Sequence, residues 1–173
     1  GTLAKMAFDA CMFNSQNFGF IKLADEYTTG SSIMPHKKNP DVFELTRAKC
    51  NKLQSLPFQM TMITNNLPSG YFRDLQLTKE EFLPAFDEMI SIIDMVNAMM
   101  AQVKVNEHIL DDSRYDLMFS VEEVNRLAAA GMPFRDAYKK VGLDIEAGKF
   151  TPVKEVNHTH EGSAGNLCND RIR

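Results

Sequence analysis

The sequence predicts an all-α fold, and three observations lead to it. Apolar residues recur at helical spacing through most of the 173 residues, most clearly in the long stretches 39–67 and 78–105. The segments between them are clusters of Gly, Pro, Asn and Ser, which end helices and turn the chain. No stretch carries the period-two alternation of a half-buried strand, and no internal repeat is present.

Taken in order, residues 2–13 place Leu3, Met6, Ala7, Ala10 and Cys11 on one helical face. Asn, Ser and Gly then interrupt the pattern before the loop TTGSSIMPHKKNP, residues 28–40. The next helix is expected to start there, with Asn39 as N-cap, Pro40 at the first helical position, and Asp41 and Glu44 complementing the positive end of the dipole. Its apolar positions are Phe43, Leu45, Ala48, Leu53, Leu56, Met60 and Ile63, and Pro57 predicts a break near its middle. After the turn-rich PSGYFRDLQL, Thr78 and Glu81 have capping-box spacing ahead of a second long helix. Its predicted stripe is Phe82, Phe86, Met89, Ile90, Ile93, Val96 and Met99. Two long helices joined this way are expected to form an antiparallel hairpin. The character changes near residue 106, which predicts one domain over 1–106 and a small helical domain over 107–173. In the second, Ser120 and Glu123 repeat the capping-box spacing, Gly131 stops one helix and Pro133 begins another.

Composition narrows the function classes. A net charge of -4 gives no electrostatic footprint for nucleic acid, and no apolar run reaches the roughly 20 residues of a bilayer span. Three widely spaced cysteines, with no C-x-x-C, fit a reduced, cytoplasmic setting better than a disulfide framework. His158 and His160 form H-x-H beside Glu161, but no third ligand follows at metal-site spacing, so no metal is assigned. The opening GTLAKMAFDACMF lacks an initiator methionine and is already helical, which predicts a piece of a longer chain.

The loop 28–40 carries the chemistry. Gly30 is free of steric restriction, Ser31 and Ser32 bring hydroxyls, Lys37 and Lys38 bring positive charge, and Asn39 can cap a helix or hold a carboxylate. Such a set suits an anionic substrate whose charge grows in the transition state. The order Gly30-Ser31-Ser32-Ile33-Met34-Pro35-His36-Lys37-Lys38-Asn39-Pro40 matches the pattern G-S-S-x-M-P-x-K-x-N-P of the aspartase/fumarase superfamily. Within it, LPSGYFRDLQLTKE resembles the argininosuccinate lyase pattern L-P-x-x-Y-x-x-D-L-Q-x-x-K, with Tyr71, Asp74, Leu75, Gln76 and Lys79 in place. NPDVFELTRAK and GMPFRDAY resemble the same family, so the likeness runs from about residue 12 to about residue 140.

The resemblance implies a cofactor-free, reversible elimination that splits argininosuccinate into arginine and fumarate. By position, Ser31 is implied as the catalytic base, with Lys37 and Asn39 holding the substrate carboxylate and its developing charge. Ser32, Tyr71, Gln76 and Lys79 are implied to bind substrate, and Glu44 to orient a catalytic histidine. None of the four histidines here matches that histidine, which the family carries upstream. The family is a homotetramer with three subunits contributing to each site, so residues 1–106 would be the C-terminal part of its central helical domain. The chain alone is then expected to lack lyase activity, and its long helices to self-associate or to demand absent partners. Another superfamily lyase, such as adenylosuccinate lyase or fumarase, remains an alternative, as does recruitment as a crystallin-like structural protein.

Overall fold

The computed structural model describes residues 1–156 and 158–172. It is mainly helical and divides into two compact units, Gly1–Asn106 and Glu107–Arg173.

The first unit contains α1 (Thr2–Phe13), α2 (Asp41–Leu53), α3 (Leu56–Ile63) and α4 (Leu77–Met100). Its packing follows from small residues on α1. Ala4 meets Cys50, Ile92 and Val96, while Ala7 and Ala10 meet Phe43, Met99 and Leu23. As numbers rise along α1 they fall along α2 and rise along α4, so α2 runs antiparallel to both neighbours. The Lys52–Glu88 ion pair, at 3.3 Å, continues the same α2–α4 register. Phe43 is fully buried where the clusters reach the start of α2, and Met99 meets it from the end of α4.

This arrangement gathers the C-terminus of α1, the N-terminus of α2 and the C-terminus of α4 at one end. A two-residue antiparallel ladder closes that end, β1 (Ile21–Lys22) against β2 (Lys104–Val105), with Ile21 opposite Val105 and Lys22 opposite Lys104. The sequence shows no alternation for it because two residues are too few to establish a period.

Several helix boundaries differ from expectation for identifiable reasons. Asn39 does not cap α2; its backbone pairs with Thr29, and Pro40 occupies the cap position. The break expected at Pro57 is present: α2 ends at Leu53 and Pro57 lies in the first turn of α3. Thr78 and Glu81 form no capping box, because a 3₁₀ turn over Arg73–Gln76 runs straight into α4 and leaves no free helix end. The Thr78 hydroxyl instead donates to the Leu75 carbonyl at 2.6 Å. On α4 the buried residues are Ile92, Val96 and Met99, while Phe82, Phe86, Ile90 and Ile93 of the predicted stripe are exposed. Leu45 on α2 is likewise 60% exposed. These helices thus carry more apolar surface than this unit covers.

The second unit is built on α5 (Ser120–Ala129) and α6 (Phe134–Glu146). Val124, Ala137 and Val141 are its buried centre, ringed by Leu127, Met132, Ile145 and Phe150. Gly131 makes the turn between the helices with φ 99°, a backbone state that side chains disfavour. Ser120 and Glu123 do not form a capping box either: 3₁₀ helix over Ser113–Phe119 leads directly into α5, and Glu123 takes both hydrogen bonds of Arg126 at 2.6 and 2.7 Å. Polar contacts hold the following irregular segment. Lys154 pairs with Asp116 at 2.9 Å, and His158 Nε2 lies 3.1 Å from the Glu122 carboxylate.

Candidate active site

The loop 28–40 is closed at its neck. Thr29 and Asn39 form an antiparallel bridge: the Asn39 N–H donates to the Thr29 carbonyl at 2.8 Å, and the Thr29 N–H donates back at 3.2 Å. The Asn39 side-chain amide adds a donation to the Gly30 carbonyl at 3.3 Å. The Thr29 hydroxyl also bonds Asp41 in the first turn of α2, which ties the neck to the helix. Nothing within contact distance would meet a Cβ at Gly30.

Inside the loop, Ser31 Oγ accepts from the backbone N–H groups of Ile33 and Met34, each at 3.2 Å. A turn of this kind is ordinary for serine. Its chemical consequence is that two donors converge on one hydroxyl oxygen, which favours negative charge on it. Met34 also accepts from the Lys37 N–H at 3.0 Å, fixing the backbone that presents the lysine. Lys38 pairs with Asp25, and that hydrogen bond, reinforced by the lysine's charge, holds the Asp25 carboxyl below its ordinary range. Lys37 has no carboxylate partner among the described residues. Of the two lysines, Lys38 is spent on structure and Lys37 is available.

A cleft of about 630 Å³ lies beside the loop, within the size range of small-ligand sites. The walls include Lys37 and Asn39 from the loop, Glu44 from α2, Cys11 from α1 and Lys22 from β1. The N-terminal end of α2 borders it, so the positive end of the helix dipole faces the same space. Burial pushes the Cys11 thiol upward; the Arg47 charge opposes that shift and the Glu44 charge adds to it. Cys11 is therefore protonated at neutral pH.

The structure places the sequence-derived candidates in two groups. Lys37, Asn39 and Glu44 line the cleft; Ser31 and Ser32 belong to the same loop but are not among the lining residues. Tyr71, Gln76 and Lys79 do not line it. They sit before and at the start of α4, exposed and without side-chain hydrogen bonds among the described residues. α4 is parallel to α1, so its N-terminus belongs to the end of the unit opposite the loop. Sequence reasoning missed Asn14, Gln16 and Lys22, which also line the cleft. Asn14 is fixed by accepting from the Leu23 N–H at 3.2 Å. Their only sequence signal is the polar break after α1, and it does not say which wall they join.

A family model described as lyase matches residues 1–55. The argininosuccinate lyase of Parabacteroides distasonis is 78% identical over 171 residues, covering 99% of this chain and 38% of that protein. That of Bacteroides thetaiotaomicron is 76% identical over 172 residues, covering 99% of this chain and 39% of that protein. The argininosuccinate lyase of Symbiobacterium thermophilum is 37% identical over 153 residues, 86% of this chain and 33% of that protein. The chain thus spans about two fifths of the length of the curated relatives it matches most strongly, and it belongs to the argininosuccinate lyase family.

Proposed function

We propose that these residues form part of an argininosuccinate lyase and supply the base-bearing loop of its active site. The observation that carries this reading is the convergence of two backbone N–H groups on Ser31 Oγ, in a loop whose unpaired Lys37 lines the cleft. In the proposed reaction Ser31, as alkoxide, removes a proton from the succinyl carbon next to a carboxylate. The electron pair passes into that carboxylate as an aci-carboxylate dianion. It then returns to form the carbon–carbon double bond of fumarate as the carbon–nitrogen bond breaks. The departing guanidinium nitrogen takes a proton from a general acid, and arginine leaves. The sequence of steps balances without a redox or metal cofactor.

Each residue's proposed role follows from what the charge distribution demands. The alkoxide form of serine is unstable in water, and the two amide donors, with an ammonium that loop closure would bring to the site, lower that cost. Lys37 stabilises the dianion, a task for which a localised cation in a closed site commonly supplies a factor on the order of 10²–10³ in rate. Asn39 spends one side-chain N–H on Gly30 and retains a second for a substrate carboxylate, with Ser32 beside it. Glu44 lines the same cleft and would orient a histidine brought by another segment.

Tyr71, Gln76 and Lys79 lie at the other end of the unit, so we assign them to substrate held by a different copy of the loop. That assignment requires an assembly, and the exposed apolar residues of α4 support a homotetramer built on it. No helix among the described residues is long and apolar enough to cross a membrane. The reduced cysteines Cys11, Cys50 and Cys168 support a cytoplasmic setting. A substrate panel tests the reading. The full-length enzyme containing these residues should release fumarate from argininosuccinate and leave adenylosuccinate and malate unchanged; turnover of either alternative instead would move it to another branch of the superfamily.

A further inference from the structure

A second feature of the cleft is not used by the proposed chemistry. Lys22 on β1 lines it together with Lys37. Lys22 also lines a neighbouring groove of about 430 Å³ with Lys104 of β2, and Asn14, Ser15 and Gln16 border both spaces. The two hollows therefore meet along one polar wall, with Lys37, Lys22 and Lys104 along it.

Two observations make Lys22 and Lys104 unusual. They stand directly opposite each other in the β1–β2 ladder, a like-charge juxtaposition that disfavours strand pairing. Neither forms an ion pair with a carboxylate among the described residues; Asp25, whose carboxyl is depressed first by the Lys38 hydrogen bond and only last by Lys22, gives its contact to Lys38. The ladder thus tolerates an internal repulsion that an anion between the two ammonium groups would relieve.

We propose that Lys22 and Lys104 form a second carboxylate-binding subsite, which holds the far carboxylate of the succinyl group while Lys37 holds the near one. This rests on the lyase reading above. It assigns Lys22 to specificity: two cations spaced along the wall select a dicarboxylate end over a monocarboxylate one.

The test uses the full-length enzyme with Lys22→Met, Lys22→Arg and Lys104→Met. Lys22→Met is expected to raise KM for argininosuccinate about tenfold with kcat within about threefold, as loss of one charge-assisted contact predicts. Inhibition by succinate should weaken by about the same factor, inhibition by propionate should not change, and Lys22→Arg should restore both constants. Lys104→Met should shift succinate inhibition in the same direction. Both Met variants remove the cross-strand repulsion, so their thermal midpoints should equal or exceed that of the wild type, whereas a merely structural lysine would lower them. KM and succinate inhibition within twofold of wild type in Lys22→Met would overturn the subsite. If Lys37→Met abolished turnover alongside that result, the lyase reading would stand without it. Should the wild type fail to cleave argininosuccinate, the lyase reading falls, and succinate titration of wild type against Lys22→Met by calorimetry still decides the subsite: equal affinity, or no binding to either, overturns it.

Discussion

Thr29 and Asn39 clasp the two ends of the signature loop through reciprocal backbone hydrogen bonds of 3.2 and 2.8 Å. The loop between them, which carries Ser31 and Lys37, is thus closed into a single flap at its neck. Loops of this kind gate substrate entry and exclude water when they close. The Asn39 side-chain amide adds a bond across the neck to the Gly30 carbonyl, beside the one between the Thr29 hydroxyl and Asp41.

The first prediction concerns that bond. Asn39→Ala should lower kcat on the order of 10²-fold, since it removes both the neck contact and the proposed substrate donor. Global stability should change by less than about 1 kcal/mol, because the bond is exposed. Amide exchange should accelerate within 30–38 and stay unchanged in α2. Activity within threefold of wild type would remove Asn39 from the site.

The two adjacent lysines should separate cleanly. Lys37→Met should cost on the order of 10²–10³ in kcat/KM. Lys38 also lines the cleft, but its ammonium is paired with Asp25, so Lys38→Met should cost far less. Steady-state assays of the two variants side by side give the answer; equal losses would contradict the division of labour.

Packing gives a third prediction. Phe43 is fully buried between α1 and α4, so Phe43→Ala should lower unfolding free energy by about 3–5 kcal/mol. Phe86 and Ile90 are 56% and 58% exposed on α4. Phe86→Asp with Ile90→Asp should leave the helical circular dichroism intact and reduce the assembly size in sedimentation. An unchanged assembly would rule out this face as the contact surface.

A fourth prediction is a pH dependence in the second unit. The hydrogen bonds and charge of Arg126 hold the Glu123 carboxyl below its ordinary 4.5. A carboxyl depressed on folding stabilises the fold above its unfolded value, and that contribution disappears as pH falls through the folded value. Glu123→Gln should therefore cost about 0.5 kcal/mol at neutral pH, the scale of a surface pair whose arginine is solvent-exposed. The difference from wild type should shrink as pH falls below the ordinary 4.5 and vanish once the folded carboxyl is protonated. Denaturant midpoints across that range check it, and a gap that persists at the acid end would contradict the sign.

Much of this was legible from residues alone because the signals were local. The break at Pro57 and the stop at Gly131 follow from the chemistry of single residues, and the helical face of α1 follows from the spacing of its alanines. The signature residues of the loop could be read in order. What could not be read depends on contacts distant in sequence. Lys22 joins the cleft only because β1 pairs with β2 more than eighty residues later. Asn39 looked like a helix cap because its type and position fit one, yet the pairing with Thr29 claimed its backbone. Thr78 and Ser120 carried capping-box spacing, but 3₁₀ turns entering α4 and α5 left no free ends to cap. Four of the seven residues of the predicted α4 stripe are exposed, because sequence periodicity identifies an apolar face without saying what covers it.

The account rests on Ser31 as the base, and one substitution tests that most directly. Fumarate release from argininosuccinate should be followed by ultraviolet absorbance for the full-length enzyme and for Ser31→Ala. The account predicts a loss on the order of 10³-fold or more in kcat, with KM nearly unchanged and the same thermal midpoint. A Ser31→Ala enzyme that releases fumarate within tenfold of the wild-type rate would contradict it.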